Sequence, residues 1–198
     1  MNRLLHWLSL VAIAISFVAC NNEEVDVPRF QYDANGRCYL PNVKQISYAE
    51  FLQYAEGNGW NHVSTYEINP DGSVQETDYY EGLIGSGISP SDFYFMQDHY
   101  SYRYFTCEFG DAFSTYDYQY KVGNLIGYNT MDGTFYTKFQ VLSINENELQ
   151  VVKHLGYRAG ENARNIYGLV TFSKMTDEEL ESYRRAYESY IGQLPPVE

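Results

Sequence analysis

From Trp60 to about Met175 apolar residues tend to recur at every second position, and turn residues cut the pattern at short intervals. That period marks strands with one buried face. Turns this short join antiparallel neighbours, because parallel pairing needs long crossovers. Asn69-Pro70-Asp71-Gly72 is a strong turn between Trp60–Ile68 and Ser73–Tyr80. Gly123-Asn124 reads as a hairpin link that tolerates positive φ, and Asp132-Gly133 and Asn145-Glu146-Asn147 punctuate strands near 134–144 and 148–154. With 91–97, 100–109, 113–121, 125–129 and 166–174 there are nine candidate segments, of which 91–97 and 100–109 can be one bent strand. About eight antiparallel strands in one domain favour an up-and-down β-barrel, with a β-sandwich as the alternative. Tyr supplies 21 of the 198 residues, and Tyr suits pleated, half-buried surfaces.

Two helices flank this region. Ser47 and Glu50 form a capping box, with Ile46 and Phe51 placed as a hydrophobic staple. Tyr48, Phe51, Leu52 and Ala55 then make a short amphipathic stripe over 48–56 that Gly57 stops. At the other end Thr176 and Glu179 make a second capping box. The stripe that follows is Leu180, Tyr183, Tyr187, Tyr190, Ile191 and Leu194, closed by Pro195-Pro196.

The N-terminus has one basic residue, Arg3, followed by an apolar run from Trp7 to Val18. A helix that long would span about 18 Å, short of a bilayer core. It reads as the h-region of a secretory signal. The run ends Phe17-Val18-Ala19-Cys20, which resembles the lipobox of bacterial lipoproteins. That resemblance implies cleavage after residue 19 and acylation of Cys20, palmitate included, which anchors the chain to the bacterial outer membrane. The acidic stretch Asn21 to Asp26 resembles the export tag of surface-exposed lipoproteins, and it reads equally as a solvated tether facing the periplasm. The expected organisation is a signal peptide over 1–19, a lipidated Cys and tether over 20–42 that includes a docking segment, and a barrel domain with flanking helices over 43–194.

Charge narrows the partners. The formal net charge is -13, and removing Arg3 with the signal leaves 12 basic against 26 acidic residues, or -14. A chain this acidic repels nucleic acid and anionic headgroups alike, so only the lipid would hold it at a membrane. Cys38 and Cys107 remain after acylation. In an oxidising compartment the two can be bridged, or they can be separate buried thiols.

The cadence of Tyr116–Ile126, of Val141–Val151 and of Tyr167–Lys174 resembles bacterial lipocalin-like lipoproteins. The likeness spans about 60–174 and implies a calycin-type barrel of roughly eight strands. Such a barrel either encloses one small ligand or is filled by its own side chains. Alternation puts Trp60, His62, Ser64, Tyr66 and Ile68 on one face of the first strand, opposite Asn61, Val63, Thr65 and Glu67. Tyr100, Tyr102 and Tyr104 form another row, and Tyr116, Tyr118 and Tyr120 a third. Turned inward, these rows suit an amphipathic small molecule; turned outward, they can stack on sugar rings; and they can also be core and girdle residues only.

Catalytic signatures are missing from the text. His62, His99 and His154 lack metal-ligand spacing, the cysteines are not in CxxC, and Glu81–Gly87 matches neither GxGxxG nor a P-loop. There is no GxSxG elbow, and carboxylates such as Glu67, Asp78 and Glu81 are plentiful without being paired. The expectation is a non-enzyme without cofactor or metal that binds a small hydrophobic or amphipathic ligand through Trp60, His62, Tyr66, Tyr102 and Tyr118. The alternative is a solid barrel that contacts an envelope protein or glycan.

Overall fold

The two-residue period becomes an antiparallel sheet in the computed structural model. It describes residues 29–76, 83–84, 93–97, 100–107, 110–129, 133, 135–161 and 163–192. Side chains are described for 29–76, 117–128, 133, 138–161 and 163–190. The signal segment, Cys20, His99, and the C-terminal Leu194-Pro195-Pro196 lie outside the described residues.

Strands β1 (Gln31–Tyr32) and β2 (Cys38–Tyr39) form a small ribbon. Helix α1 (Tyr48–Ala55) precedes β3 (Gly59–Ile68), β4 (Val74–Glu76), β5 (Leu83–Ile84), β6 (Phe93–Gln97) and β7 (Tyr100–Cys107). Then come β8 (Gly110–Lys121), β9 (Asn124–Asn129), β10 (Phe135–Ile144), β11 (Glu148–Arg158) and β12 (Arg164–Lys174), followed by helix α2 (Asp177–Gly192). The sheet runs β10-β9-β8-β7-β6-β3-β12-β11-β5, with β4 on β3 and a further ladder between β10 and β11. The protein is therefore mainly β, as the period and the Tyr content indicate.

Three features add to the sequence expectation or depart from it. First, 91–97 and 100–109 are not one bent strand, since β6 and β7 pair as a hairpin from Phe93↔Tyr104 to Gln97↔Tyr100. Secondly, the segment that follows the tether docks over a defined length. From Phe30 onward the chain lies on the sheet, where Gln140 bonds both the amide and the carbonyl of Leu40 at 2.8 and 2.9 Å. Phe30, Tyr32 and Cys38 bury with Ile68, Val152, Leu142 and Tyr167. Thirdly, the hairpin link falls one residue early, on Val122 and Gly123, at φ 46 and 72.

A β-branched residue rarely takes positive φ, because its branched Cβ crowds the backbone. Val122 is 68% exposed and gains no packing in return. Val122→Asn, which suits the first position of such a turn, is expected to stabilise the fold by about 1 kcal/mol. The check is an upward shift of the urea midpoint with an unchanged m-value.

Both capping boxes fold as caps. Ser47 Oγ accepts from the Glu50 amide at 3.1 Å, and Ile46 and Phe51 are buried beside it. Thr176 Oγ1 accepts from the Glu179 amide at 3.2 Å while Glu179 Oε2 accepts from the Thr176 amide at 2.8 Å.

The sheet has two distinct faces. One, the core face, packs Trp60, Tyr118, Leu125, Phe139, Val141, Ile144, Leu149, Val151, Leu155, Ile166, Val170 and Phe172 against Phe51 and Ala55 of α1. The other carries the β1–β2 ribbon over Ile68 and Val152.

Candidate functional site

Cross-strand register sets what the core face presents. Paired residues share a face, so one row can be followed as Glu67, Gly168, Lys153, Phe139, Leu125, Tyr120. Charges sit at one end of this row and rings at the other.

A bulge in β3 decides which of its residues join that face. Thr171 pairs with Ser64 but Phe172 pairs with His62, so Val63 is the extra residue. An extra residue reverses the alternation beyond it. Trp60 and His62 therefore share their face with Thr65 and Glu67, not with Tyr66 and Ile68. The His62 Nε2 to Thr65 Oγ1 contact of 2.8 Å spans the bulge. Tyr66 lies in the row Leu169, Val152, Gln140 on the ribbon face. The expected grouping of Trp60, His62, Ser64, Tyr66 and Ile68 is thus split by one inserted residue. Strict alternation has no means of showing such an insertion.

Of the remaining residues singled out in the sequence, Tyr118 is buried on the core face. Its hydroxyl donates to Glu56 Oε2 at 2.9 Å, and its ring meets Phe51 edge-on at 6.4 Å. Burial, followed by the Glu56 carboxylate, raises its phenol well above the usual range. Tyr120 stacks on Phe51 at 4.5 Å and donates to the Ile46 carbonyl at 2.9 Å. Both tyrosines hold α1 against this end of the sheet. Trp60 is fully buried there, with its Nε1 lacking a hydrogen-bond partner. The backbone of Tyr102 pairs with Phe95 and Thr115, and its side chain lies outside the described residues.

Cys38 is a free, buried thiol, pushed up to about 12 by burial against an opposing hydrogen bond with Tyr32. The side chain of Cys107 is outside the described residues. His154 is exposed on the ribbon face, where it meets Asn165 at 3.1 Å, so β11 holds it away from His62. Among the described residues no group of three His, Cys, Asp or Glu side chains could hold a metal.

The polar end of the core face joins Glu67 to cations that no sequence motif marks. Glu67, 1% exposed, takes a two-pronged bond from Arg158, Nη1 to Oε1 at 3.0 Å and Nη2 to Oε2 at 2.8 Å. Arg164 Nη2 donates to the same Oε1 at 2.6 Å, while Arg164 Nη1 is buried without a partner. Lys153, also 1% exposed, sits with its Nζ 5.1 Å from the centre of the Phe139 ring. Glu67 and Lys153 flank Gly168, where a Cβ would come within 2.6 Å of Leu155 Cδ1 and 3.1 Å of Thr65 Cγ2. The signal for these residues was present in the text: a Lys inside the apolar run Leu149–Leu155 and a Glu beside Ile68.

His62 responds to this charge. Burial, and then the Lys153 cation, lower its proton affinity from the ordinary 6.5. The fold favours the neutral ring, so the unfolded chain takes up this proton more readily. The stability His62 contributes is present above about 6.5 and lost as the pH falls below it. In His62→Gln, the drop in urea midpoint between pH 7.5 and pH 5 is expected to be smaller than in the unsubstituted protein.

Comparisons with family models, with curated proteins and with solved structures return no match for this chain. The functional reading therefore rests on its own residues. Among those described, no helix is long and apolar enough to cross a membrane.

Proposed function

We propose that this is an exported lipoprotein, acylated at Cys20, whose strands close into a lipocalin-like barrel that binds a small hydrophobic or amphipathic ligand without catalysis. The observation that carries the reading is the set of ladders. Each of β3, β6, β7, β8, β9, β10, β11 and β12 pairs with a neighbour on both sides, and the β10–β11 ladder joins the two halves of the order. A circuit of eight strands is just wide enough for one small ligand. Its core face combines apolar walls with a few polar groups, Thr65, His62 and the Glu67 cluster, which is the usual lining of such a site. Trp60 and His62 remain the first residues of the expected set to test.

The test is extraction and mass spectrometry of small molecules from the purified protein, joined to thermal unfolding with added amphiphiles. A bound compound and a concentration-dependent rise in Tm are expected. Absence of both a bound compound and a shift would remove the proposal.

A second reading, a solid barrel that contacts an envelope protein or glycan, is favoured by one feature. The α1 end is filled by Phe51, Ala55 and Trp60, all at 0% exposure. An internal volume smaller than a few waters along the whole barrel would decide for it.

A further inference from the structure

We infer that the ligand carries an anionic head and that Arg164 receives it at the Glu67 end of the core face; this rests on the carrier reading above. The chain is strongly acidic, yet at this end of the face two half-buried guanidiniums, Arg158 and Arg164, converge on one buried carboxylate, Glu67. A composition of 13 basic against 26 acidic residues would give the opposite balance by default. Positive charge is therefore concentrated where burial makes it costly, and a buried charge is tolerated only when paired and hydrogen-bonded.

The hydrogen bonds show which group is left over. Glu67 spends both oxygens on Arg158 and accepts a third bond from Arg164 Nη2. Arg164 Nη1 is desolvated and donates to nothing. A buried donor without a partner costs roughly 1–3 kcal/mol, and here it is one edge of a guanidinium that shares the Glu67 carboxylate with Arg158. A carboxylate or phosphate oxygen would both accept from Nη1 and supply the second negative charge. Guanidinium forks suit either head. The Arg158 and Arg164 side chains are 35% and 25% exposed, so the cluster borders solvent, while Nη1 itself is covered and a head group would reach it by displacing the atoms over it. The alkyl part would then run toward Phe139, Leu125 and the rings beside α1, along the row already described.

The experiment is competition against N-phenyl-1-naphthylamine, a neutral fluorescent apolar probe, with dodecanoate, dodecyl phosphate, dodecanol and inorganic phosphate. The anionic amphiphiles are expected to displace the probe at least about tenfold more tightly than dodecanol, the range of a charge-assisted hydrogen bond. The better of the two identifies the head. Arg164→Gln should erase that preference, the anionic amphiphiles then displacing the probe no more tightly than dodecanol does, and Arg164→Lys, which keeps the charge but loses the fork, should retain only part of it. Should Arg164→Gln not fold, the lysine variant and the unsubstituted protein carry the test. Equal displacement by dodecanoate, dodecyl phosphate and dodecanol overturns the anionic head but leaves carriage standing. Failure of every amphiphile and of the probe overturns carriage itself. Displacement by inorganic phosphate alone, with no benefit from the chain, overturns the placement of an amphiphile along this row.

Discussion

Phe51→Ala is expected to destabilise the protein by about 3–5 kcal/mol, the range for emptying a fully buried aromatic site. Phe51 is 0% exposed and meets Tyr120 face to face and Tyr118 edge-on, so it fastens α1 to the sheet. A helix this short, eight residues, has little stability of its own and depends on that docking. The loss should therefore be larger than for Tyr118→Phe, which removes only the bond to Glu56 and is expected to cost about 1 kcal/mol. Chemical unfolding of both variants checks the ranking. Equal midpoints would mean that the ring contacts of Phe51 do not hold α1.

Glu67→Gln is expected to cost roughly 2–4 kcal/mol, because it leaves two guanidiniums without their shared counter-charge. The figure is held below the fully buried limit because the Arg158 and Arg164 side chains are 35% and 25% exposed and regain some water. For a chain of this size that corresponds to a fall in Tm of roughly 5–15 °C. Replacing all three residues by apolar ones, Glu67→Leu with Arg158→Met and Arg164→Met, should recover most of the loss, since the penalty lies in uncompensated charge. Thermal unfolding of the single and triple variants separates this from simple loss of packing. A triple variant no better than Glu67→Gln would contradict the electrostatic account.

Strands and caps were legible in the sequence because their causes are local. A period of two, an Asn-Pro-Asp-Gly turn, and Ser47 or Thr176 three residues before Glu each act over a few residues. What escaped was set by single insertions and by distant partners. Val63 looks like any strand valine, yet as a bulge it exchanges Tyr66 for Glu67 on the core face. The turn at Val122 was read one residue late, because Asn124 is the better turn former and Val122 is strained in its place. Arg158 and Arg164 face each other across the turn between β11 and β12, and Glu67 is 91 and 97 residues away from them. No local pattern couples such positions. Of the residues proposed from the sequence for ligand contact, Trp60, His62 and Tyr118 share the core face and Tyr66 does not.

The docked ribbon also sets the end of the fold from which a tether would leave. The Phe30 amide donates to the Gly72 carbonyl at 3.3 Å, in the turn that follows β3, and so at the arginine rim rather than at α1. From Cys20 to Phe30 the backbone takes ten steps, a leash of at most about 35 Å. With acyl chains on Cys20, as proposed, that rim would be suspended over the lipid and the stoppered end turned outward. Cargo could then pass between bilayer and protein without crossing open water.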